Sequence, residues 1–323
     1  MSTFISFVIL TVLILKSHCT TFTFTNKCDT TIWPGILTNA GSAPLNPTGF
    51  ELEPGQTQSF QAPTGWSGRL WARTGCSTDS NGSWLCRTGD CGSGQVECNG
   101  LGAAPPATLA EFTLAGPSSG LDFYDVSLVD GYNLPMIVES SSSACSSTGC
   151  SVDLNQRCPS ELRTSNGDAC KSACEAFGKP EYCCNGEFGS PTTCQPTFYS
   201  EMFKMACPKS YSYAYDDATS TFTCTGGDYT VTFCPESTPS KKATTTDSSI
   251  NYTPPEVTTE GGSGGDSGGS GGSGGGFALD SWIADLAIGH APPSILIRSL
   301  FQHATLFILG TILPCILFNF HVL

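Results

Sequence analysis

Sixteen cysteines lie between Cys28 and Cys234, and they constrain the fold more than any other feature of the sequence. The whole chain has 323 residues and 18 cysteines. Such a density of thiols is typical of proteins that fold in an oxidising compartment, where cysteines pair as disulfides. The even number in this region therefore predicts a secreted domain with a disulfide framework.

Zinc binding is the competing use for so many cysteines. The close pairs Cys86/Cys91 and Cys170/Cys174 and the adjacent Cys183 and Cys184 do not form two CxxC motifs. All four histidines lie outside the cysteine-rich region, at positions 18, 290, 303 and 321. A histidine-based metal site, and catalysis by a Ser-His-Asp or Cys-His group, are therefore excluded from this region.

Both ends of the chain have the composition of processing signals. The apolar run up to Leu15 predicts a signal peptide over residues 1–20, with a membrane anchor as the alternative. The folded domain is then expected over 21–235, followed by a Ser/Thr/Pro-rich and then Gly/Ser-rich stalk over 236–276. Residues 277–323 end in a hydrophobic stretch typical of a GPI-attachment signal, with a transmembrane helix or no anchor as alternatives.

The charge of the chain narrows the range of partners. Twenty-eight acidic residues against 14 basic ones give a net charge of −14. Phosphate binding needs clustered Lys and Arg, so nucleic acid is excluded as the main partner. The same charge argues against permeabilisation of anionic membranes. No cofactor motif is present, and we expect a monomer on the outer face of the plasma membrane.

Alternating polar and apolar residues predict a mainly β domain with two helices. Both helices fall in the most cysteine-rich part of the domain. The helix that is expected to begin at an Asp168 cap would place Cys170 and Cys174 on one face. The predicted strands are Thr21–Asn26, Thr108–Leu114 and Phe123–Val129, and the predicted helices are Asp168–Phe177 and Thr197–Ala206.

The segment from Gly82 to Cys98, GSWLCRTGDCGSGQVEC, closely resembles the motif of the thaumatin family. Further blocks follow in the family's order over essentially all of residues 21–235. They include Asn26–Cys28, Thr31–Gly35, Trp71–Cys76, Pro105–Phe112, Asp122–Gly131, Asn133–Met136, Tyr211–Tyr213 and Thr221–Cys224. The Gly/Ser tract and the hydrophobic tail resemble those of the family's longer, anchored members.

The resemblance implies a flattened β-sandwich, a disulfide-rich second lobe with short helices, and a small third lobe. It also implies eight disulfides, which spacing alone does not give. The implied pairs are Cys28–Cys234, Cys76–Cys86, Cys91–Cys98, Cys145–Cys224, Cys150–Cys207, Cys158–Cys170, Cys174–Cys183 and Cys184–Cys194.

The family's glucan-directed and antifungal members share an acidic cleft of one arginine, one glutamate and three aspartates. The resemblance places Glu111, Asp125, Asp130 and Asp216 at the four acidic positions, with Asp130 and Asp216 expected to bind substrate. Glu111 is flanked by apolar neighbours on a predicted strand, which suits a general acid with a raised pKa, and Asp125 is the expected base or nucleophile. Asp130 is expected past a bulge or in the turn at Gly131.

The cleft arginine is expected just before the Pro105–Pro106 pair, where the sequence has Ala103 and Ala104. We therefore predict a cleft that lacks its arginine. Such a cleft is more negative than the family's usual one, and its acids are easier to protonate.

The sequence thus predicts an extracellular plant defence protein that binds β-1,3-glucan, with weak endo-β-1,3-glucanase or antifungal activity. The alternative is a non-catalytic carbohydrate-binding protein that interacts with the cell wall or plasmodesmata. Sequons predict N-glycosylation at Asn81 and Asn251. Three tryptophans are candidates for stacking on sugar rings, but core packing is the favoured interpretation for each; they are Trp33, Trp66 and Trp71.

Overall fold

A computed structural model describes residues 19–116 and 120–235. These residues form a mainly β fold, as predicted, with twelve strands. The strands are β1 (Thr20–Asn26), β2 (Ile32–Thr38), β3 (Thr57–Ala62), β4 (Ser67–Thr74), β5 (Ser77–Thr78), β6 (Trp84–Leu85), β7 (Leu109–Thr113), β8 (Asp122–Ser127), β9 (Met136–Ser140), β10 (Thr148–Cys150), β11 (Phe222–Cys224) and β12 (Tyr229–Phe233).

Two five-stranded sheets form the body of the molecule, and a two-stranded hairpin of β5 and β6 accompanies them. The first sheet has the order β10-β9-β12-β1-β3 and the second the order β11-β8-β7-β4-β2. The first and last strands of the described domain, β1 and β12, are parallel neighbours, with Phe22 opposite Tyr229. All other pairings within the sheets are antiparallel.

Aromatic side chains from both sheets interlock to form the core between them. Phe22 of the first sheet meets Phe112 of the second edge to face, with ring centroids 4.7 Å apart. Trp66 is buried in this core and Trp71 in a separate apolar cluster, so both are packed inside the protein as predicted. Trp33 differs, because it remains half-buried at the surface. Burial of large aromatic faces on one side of each strand explains why period-two alternation identified these strands.

The second lobe contains most of the helical residues. Its elements are α1 (Ala173–Phe177), α2 (Pro180–Cys183), α3 (Phe198–Ala206) and two 3-10 turns (Leu154–Arg157 and Gly186–Phe188), while α4 (Asp217–Ser220) lies just beyond it. Helix α3 has the predicted extent, and Thr197 caps it in a capping box with Ser200.

The predicted helix Asp168–Phe177 is wrong in its first half. Helix α1 begins after the cap Ser172, whose side chain accepts a hydrogen bond from the Glu175 amide. Cys170 is extended instead, because its amide and carbonyl both bond to Tyr132 at 2.8 Å. Cys170 and Cys174 therefore do not share a helix face. A tertiary backbone pairing has replaced the local helical preference that the sequence suggested.

All eight disulfides implied by the resemblance are present. They join Cys28 to Cys234, Cys76 to Cys86, Cys91 to Cys98, Cys145 to Cys224, Cys150 to Cys207, Cys158 to Cys170, Cys174 to Cys183, and Cys184 to Cys194. The first spans 206 residues and ties the end of β1 to the end of β12.

The predicted signal peptide, except its last two residues, and the predicted stalk and tail lie outside the described residues. Strand β1 begins at Thr20, within the last two positions assigned to the signal peptide. Among the described residues, no helix is long and apolar enough to cross a membrane.

Replacing both Cys28 and Cys234 by Ser is expected to lower the free energy of unfolding by about 5 kcal/mol in the loop-entropy model. The matched control is the double replacement of Cys76 and Cys86, which are separated by only 10 residues. That change is expected to cost about 3 kcal/mol, because the shorter loop restricts the unfolded chain less. Denaturant unfolding under non-reducing conditions measures both. Equal losses would contradict the loop-entropy account.

Candidate functional site

Two carboxylates face each other on neighbouring strands of the second sheet. In the register of β7 and β8, Glu111 lies directly opposite Asp125. Their neighbours Ala110, Phe112 and Tyr124 are buried in the core, so alternation directs both acids to the outer face of the sheet. Side chains directly opposite each other on antiparallel strands interact closely. The strand register therefore places Asp125 next to Glu111 across the ladder, as predicted.

An arginine lies beside this pair, so the prediction of a cleft without arginine is wrong. Arg69 of β4 is the register partner of Glu111, and its Nε lies 2.8 Å from Glu111 Oε1. The two side chains form an ion pair. The two side chains are 13% and 15% exposed. The guanidinium comes from the neighbouring strand β4 and not from the segment around Ala104.

The surroundings raise the pKa of both opposed acids. Burial is the main cause for Asp125, and the negative charges of Glu111 and Asp217 add to it. Burial also raises the pKa of Glu111, but the Arg69 guanidinium opposes the increase. Oδ1 of Asp125 is enclosed and has no hydrogen-bond partner among the described residues. Two adjacent carboxyls share a proton at pH values above the range in which carboxyl groups usually titrate. The Arg69 guanidinium favours the ionised form of Glu111, so this proton is favoured on Asp125.

Asp130 lies in the turn after β8, as expected from its position before Gly131. Its carbonyl accepts a 3.0 Å hydrogen bond from the Ala107 amide, and Gly131 bonds back to Leu128. Gly131 has a φ of 84°, and a Cβ there would lie 2.7 Å from the Cys170 carbonyl. Glycine thus allows the turn to approach the second lobe closely. Burial raises the pKa of Asp130 and Arg69 lowers it, so Asp130 shares the field of the opposed pair.

Asp216, the fourth predicted acid, is committed to a different set of contacts. Its Oδ2 lies 2.8 Å from Lys204 Nζ and accepts 3.1 Å hydrogen bonds from the amide and hydroxyl of Ser212. Its Oδ1 accepts a bond from Thr219. These contacts stabilise the start of α4. The acid from this segment whose charge acts on Asp125 is the next residue, Asp217.

Tyr211 links Asp217 to β8, the strand that carries Asp125. The Tyr211 hydroxyl donates a 2.8 Å hydrogen bond to Asp217 Oδ1, and its backbone runs beside β8. Burial and the nearby Asp125 charge raise the pKa of this tyrosine. We use the name carboxylate cluster for Glu111, Asp125, Asp130 and Asp217.

Two members of the site, Arg69 and Asp217, were missed by the sequence analysis. The sequence does contain an indication of Arg69, because this charged residue lies on the same face of β4 as Trp71 and Arg73, both of which are buried. A charged side chain on such a face needs a partner of opposite charge. For Asp217 the only indication in the sequence is its position next to Asp216. In the described residues, no group of three or more His, Cys, Asp or Glu side chains has the geometry to hold a metal ion.

A model of the thaumatin family matches residues 26–235. The chain belongs to the thaumatin family. Thaumatin-like protein 1 from Arabidopsis thaliana is 64% identical over 230 residues, which cover 69% of this chain and 88% of that protein. Pathogenesis-related thaumatin-like protein 3.5 from Cryptomeria japonica is 54% identical over 227 residues, with coverages of 69% and 92%. A Prunus avium protein named glucan endo-1,3-beta-glucosidase is 52% identical over 226 residues, with coverages of 68% and 92%.

The raised pKa values predict how the stability of this thaumatin-family protein changes with pH. A carboxyl that binds its proton more tightly in the folded state favours folding at low pH. That contribution is lost as the pH rises from the ordinary Asp value of 3.8 through the raised value. Asp125→Asn is therefore expected to stabilise the protein at neutral pH, by on the order of 1 kcal/mol, the scale of a single substitution. Below about pH 4 the advantage should disappear.

Urea unfolding at a series of pH values measures this effect. Asp29→Asn, which changes an exposed aspartate, is the matched control and should show no such pH-dependent gain. An Asp125→Asn variant that is less stable than the parent at neutral pH would contradict the assignment of a raised pKa to Asp125.

Proposed function

We propose that this thaumatin-family protein is an extracellular defence protein that binds β-1,3-glucan at the carboxylate cluster and hydrolyses it slowly. The observation that carries the proposal is the opposed pair Glu111 and Asp125 with Arg69 beside it. Hydrolysis of a glycosidic bond needs one protonated and one ionised carboxyl on either side of that bond. The 52% identity to a Prunus avium protein named glucan endo-1,3-beta-glucosidase supports β-1,3-glucan as the substrate class.

The charges around the pair favour roles opposite to those expected from the sequence. Glu111 was the expected acid, but the adjacent guanidinium favours its ionised form. Asp125 Oδ1 has no hydrogen-bond partner among the described residues, and burial and the Glu111 charge raise the Asp125 pKa well above the usual value although Arg69 opposes them. In the proposal Asp125 is therefore the general acid and Glu111 the ionised carboxylate.

The proposed step transfers the Asp125 proton to the glycosidic oxygen as the bond from that oxygen to the anomeric carbon breaks. Glu111 then forms a bond to the anomeric carbon, and water hydrolyses the resulting ester with Asp125 as the base. Cβ atoms of directly opposed residues lie about 5 Å apart. The proposal takes the double displacement because adjacent carboxyls leave little room between them for the attacking water of an inverting enzyme. In the proposal Asp217 takes the substrate-binding role predicted for Asp216, and Asp130 keeps the substrate-binding role predicted for it.

The proposed location is the outer face of the plasma membrane, with a GPI anchor attached near the C-terminal segment. Eight disulfides favour an oxidising compartment. Asn81 is exposed in the turn between β5 and β6, which suits the proposed N-glycosylation. Asn251, the second proposed glycosylation position, and the anchor segment lie outside the described residues.

Reducing-end release from soluble linear β-1,3-glucan by the purified protein tests the function. We expect slow release, and at least a hundredfold loss in both Glu111→Gln and Asp125→Asn, with glucan binding retained, in keeping with the roughly 10²–10⁴-fold typical of general acid–base groups. The control is Asp216→Asn, which alters the structural ion pair instead of the cluster. Binding without release by the parent protein would reject the hydrolase and leave a non-catalytic carbohydrate-binding role.

An activated substrate distinguishes the two carboxyls. A dinitrophenyl β-1,3-glucoside needs no proton on its leaving group, so Asp125→Asn is expected to retain most of its bond-breaking rate. Glu111→Gln should remain inactive on the same substrate, because the nucleophile is absent. The reverse pattern would restore the assignment first made from the sequence, with Glu111 as the acid.

Phosphoinositide-specific phospholipase tests the proposed anchor. Treatment of membranes from cells that express the full chain is expected to move the protein from the detergent phase to the aqueous phase. Persistence in the detergent phase would reject a GPI anchor and favour a transmembrane tail.

A further inference from the structure

A second pocket, separate from the carboxylate cluster, lies where the sandwich meets the second lobe. Its volume is about 660 Å³, within the range of small-molecule sites. No member of the carboxylate cluster lines it. The walls come from the β1–β2 connection around Thr30, the end of β4 at Gly75, and the lobe at Gln156. The pocket therefore has its own residues and its own opening.

Covalent and polar links hold these walls in place. The Cys28–Cys234 disulfide forms part of one wall. Across the pocket, an Arg87 guanidinium nitrogen lies 3.1 Å from Asp168 Oδ2 and joins the sandwich side to the lobe. Gly75 leaves room for the Arg87 side chain, since a Cβ there would lie 2.2 Å from Arg87 Nε in its present position. The disulfide is the covalent constraint on the shape of the pocket.

The charged residues that line the pocket are one cation, Arg87, and three carboxylates, Asp29, Asp153 and Asp168. Arg87, its cation, is paired with Asp168. Asp153 accepts a 3.0 Å bond from the Asn155 amide and a 2.9 Å bond from Gln156 Nε2. The lining therefore carries an excess of negative charge, which disfavours an anionic ligand. The groups that remain are hydroxyls, amides and carboxylate edges, which match the many donors and acceptors of a sugar.

Trp33 supplies an aromatic surface in the same wall. It is half-buried, and its ring meets the Trp84 ring edge to face at 6.4 Å. Its backbone carbonyl accepts a 2.9 Å bond from Arg73, whose guanidinium lies over the Trp84 ring. The Trp84 ring thus packs against the indole, and Trp33 is among the residues that line the pocket. An aromatic face beside polar side chains accommodates the apolar face and the hydroxyls of a pyranose together.

We propose that this pocket is a binding site for a short neutral oligosaccharide, with Trp33 as the stacking surface and Gln156 and Thr30 at its polar edge. The site is independent of the proposed glucan hydrolysis, because it shares no residue with the carboxylate cluster. A protein with two such sites can hold one polysaccharide strand at the pocket while the cluster engages another.

Calorimetric titration of the full-length protein with laminaritriose, cellotriose, xylotriose and chitotriose tests the proposal. At least one trisaccharide is expected to bind with a Kd of about 1 mM or tighter. Hydrogen exchange is expected to slow in peptides that contain residues 28–33 and 153–156. Gln156→Trp, which fills the pocket, should weaken binding at least about tenfold, equivalent to about 1.4 kcal/mol.

Three variants complete the test. Gln61→Trp places the same side chain on the exposed edge strand β3 and should bind like the parent. Glu111→Gln should also bind normally at the pocket, whatever it does to glucan release. Gln156→Ala gives a smaller loss and serves if the tryptophan variant does not fold. Absence of binding by all four sugars up to about 10 mM, or protection only around the carboxylate cluster, would overturn the proposal.

Discussion

The antiparallel register of β4, β7 and β8 is the constraint on which the candidate site depends. It places Arg69 opposite Glu111 and Glu111 opposite Asp125 on one face, while Phe112 and Tyr124 pack into the core on the other. A slip of one residue would exchange the two faces and bury the charges in the aromatic core. The hydrophobic contacts that select this register therefore also bring the charged groups together. Stability and the site's geometry share one cause.

The second lobe converts this polar face into an unusual electrostatic environment. The backbone pairing of Tyr132 with Cys170 and the close approach at Gly131 bring the lobe against the end of the second sheet. Burial is the largest cause of the raised pKa of Glu111, Asp125 and Asp130. Arg69 limits the cost, because a buried carboxylate beside a cation is less unfavourable than an isolated one. Burial and the nearby cation together favour one protonated acid beside an ionised one.

Much of this arrangement was predictable from the sequence, for identifiable reasons. Strands with strong alternation were found because their core faces are aromatic, and the resemblance supplied the disulfide pairs that spacing could not. Glu111 and Asp125 were correctly placed on adjacent strands. Arg69 was missed because it lies 42 positions before Glu111 in the chain, so only the strand register reveals the pairing. The Asp168 helix start and the core assignment of Trp33 failed because tertiary contacts decided both.

Rigidity has a consequence for any chemistry at the cluster. The Cys150–Cys207 disulfide joins the second lobe to β10, and Cys158–Cys170 cross-links the lobe internally. These links restrict movement of the lobe, so any chemistry at the cluster depends on groups that are already in position. Groups held in position before a substrate binds do not have to be reorganised during the reaction. The rate of the proposed hydrolysis would then depend on how well the transition state fits the site as it stands.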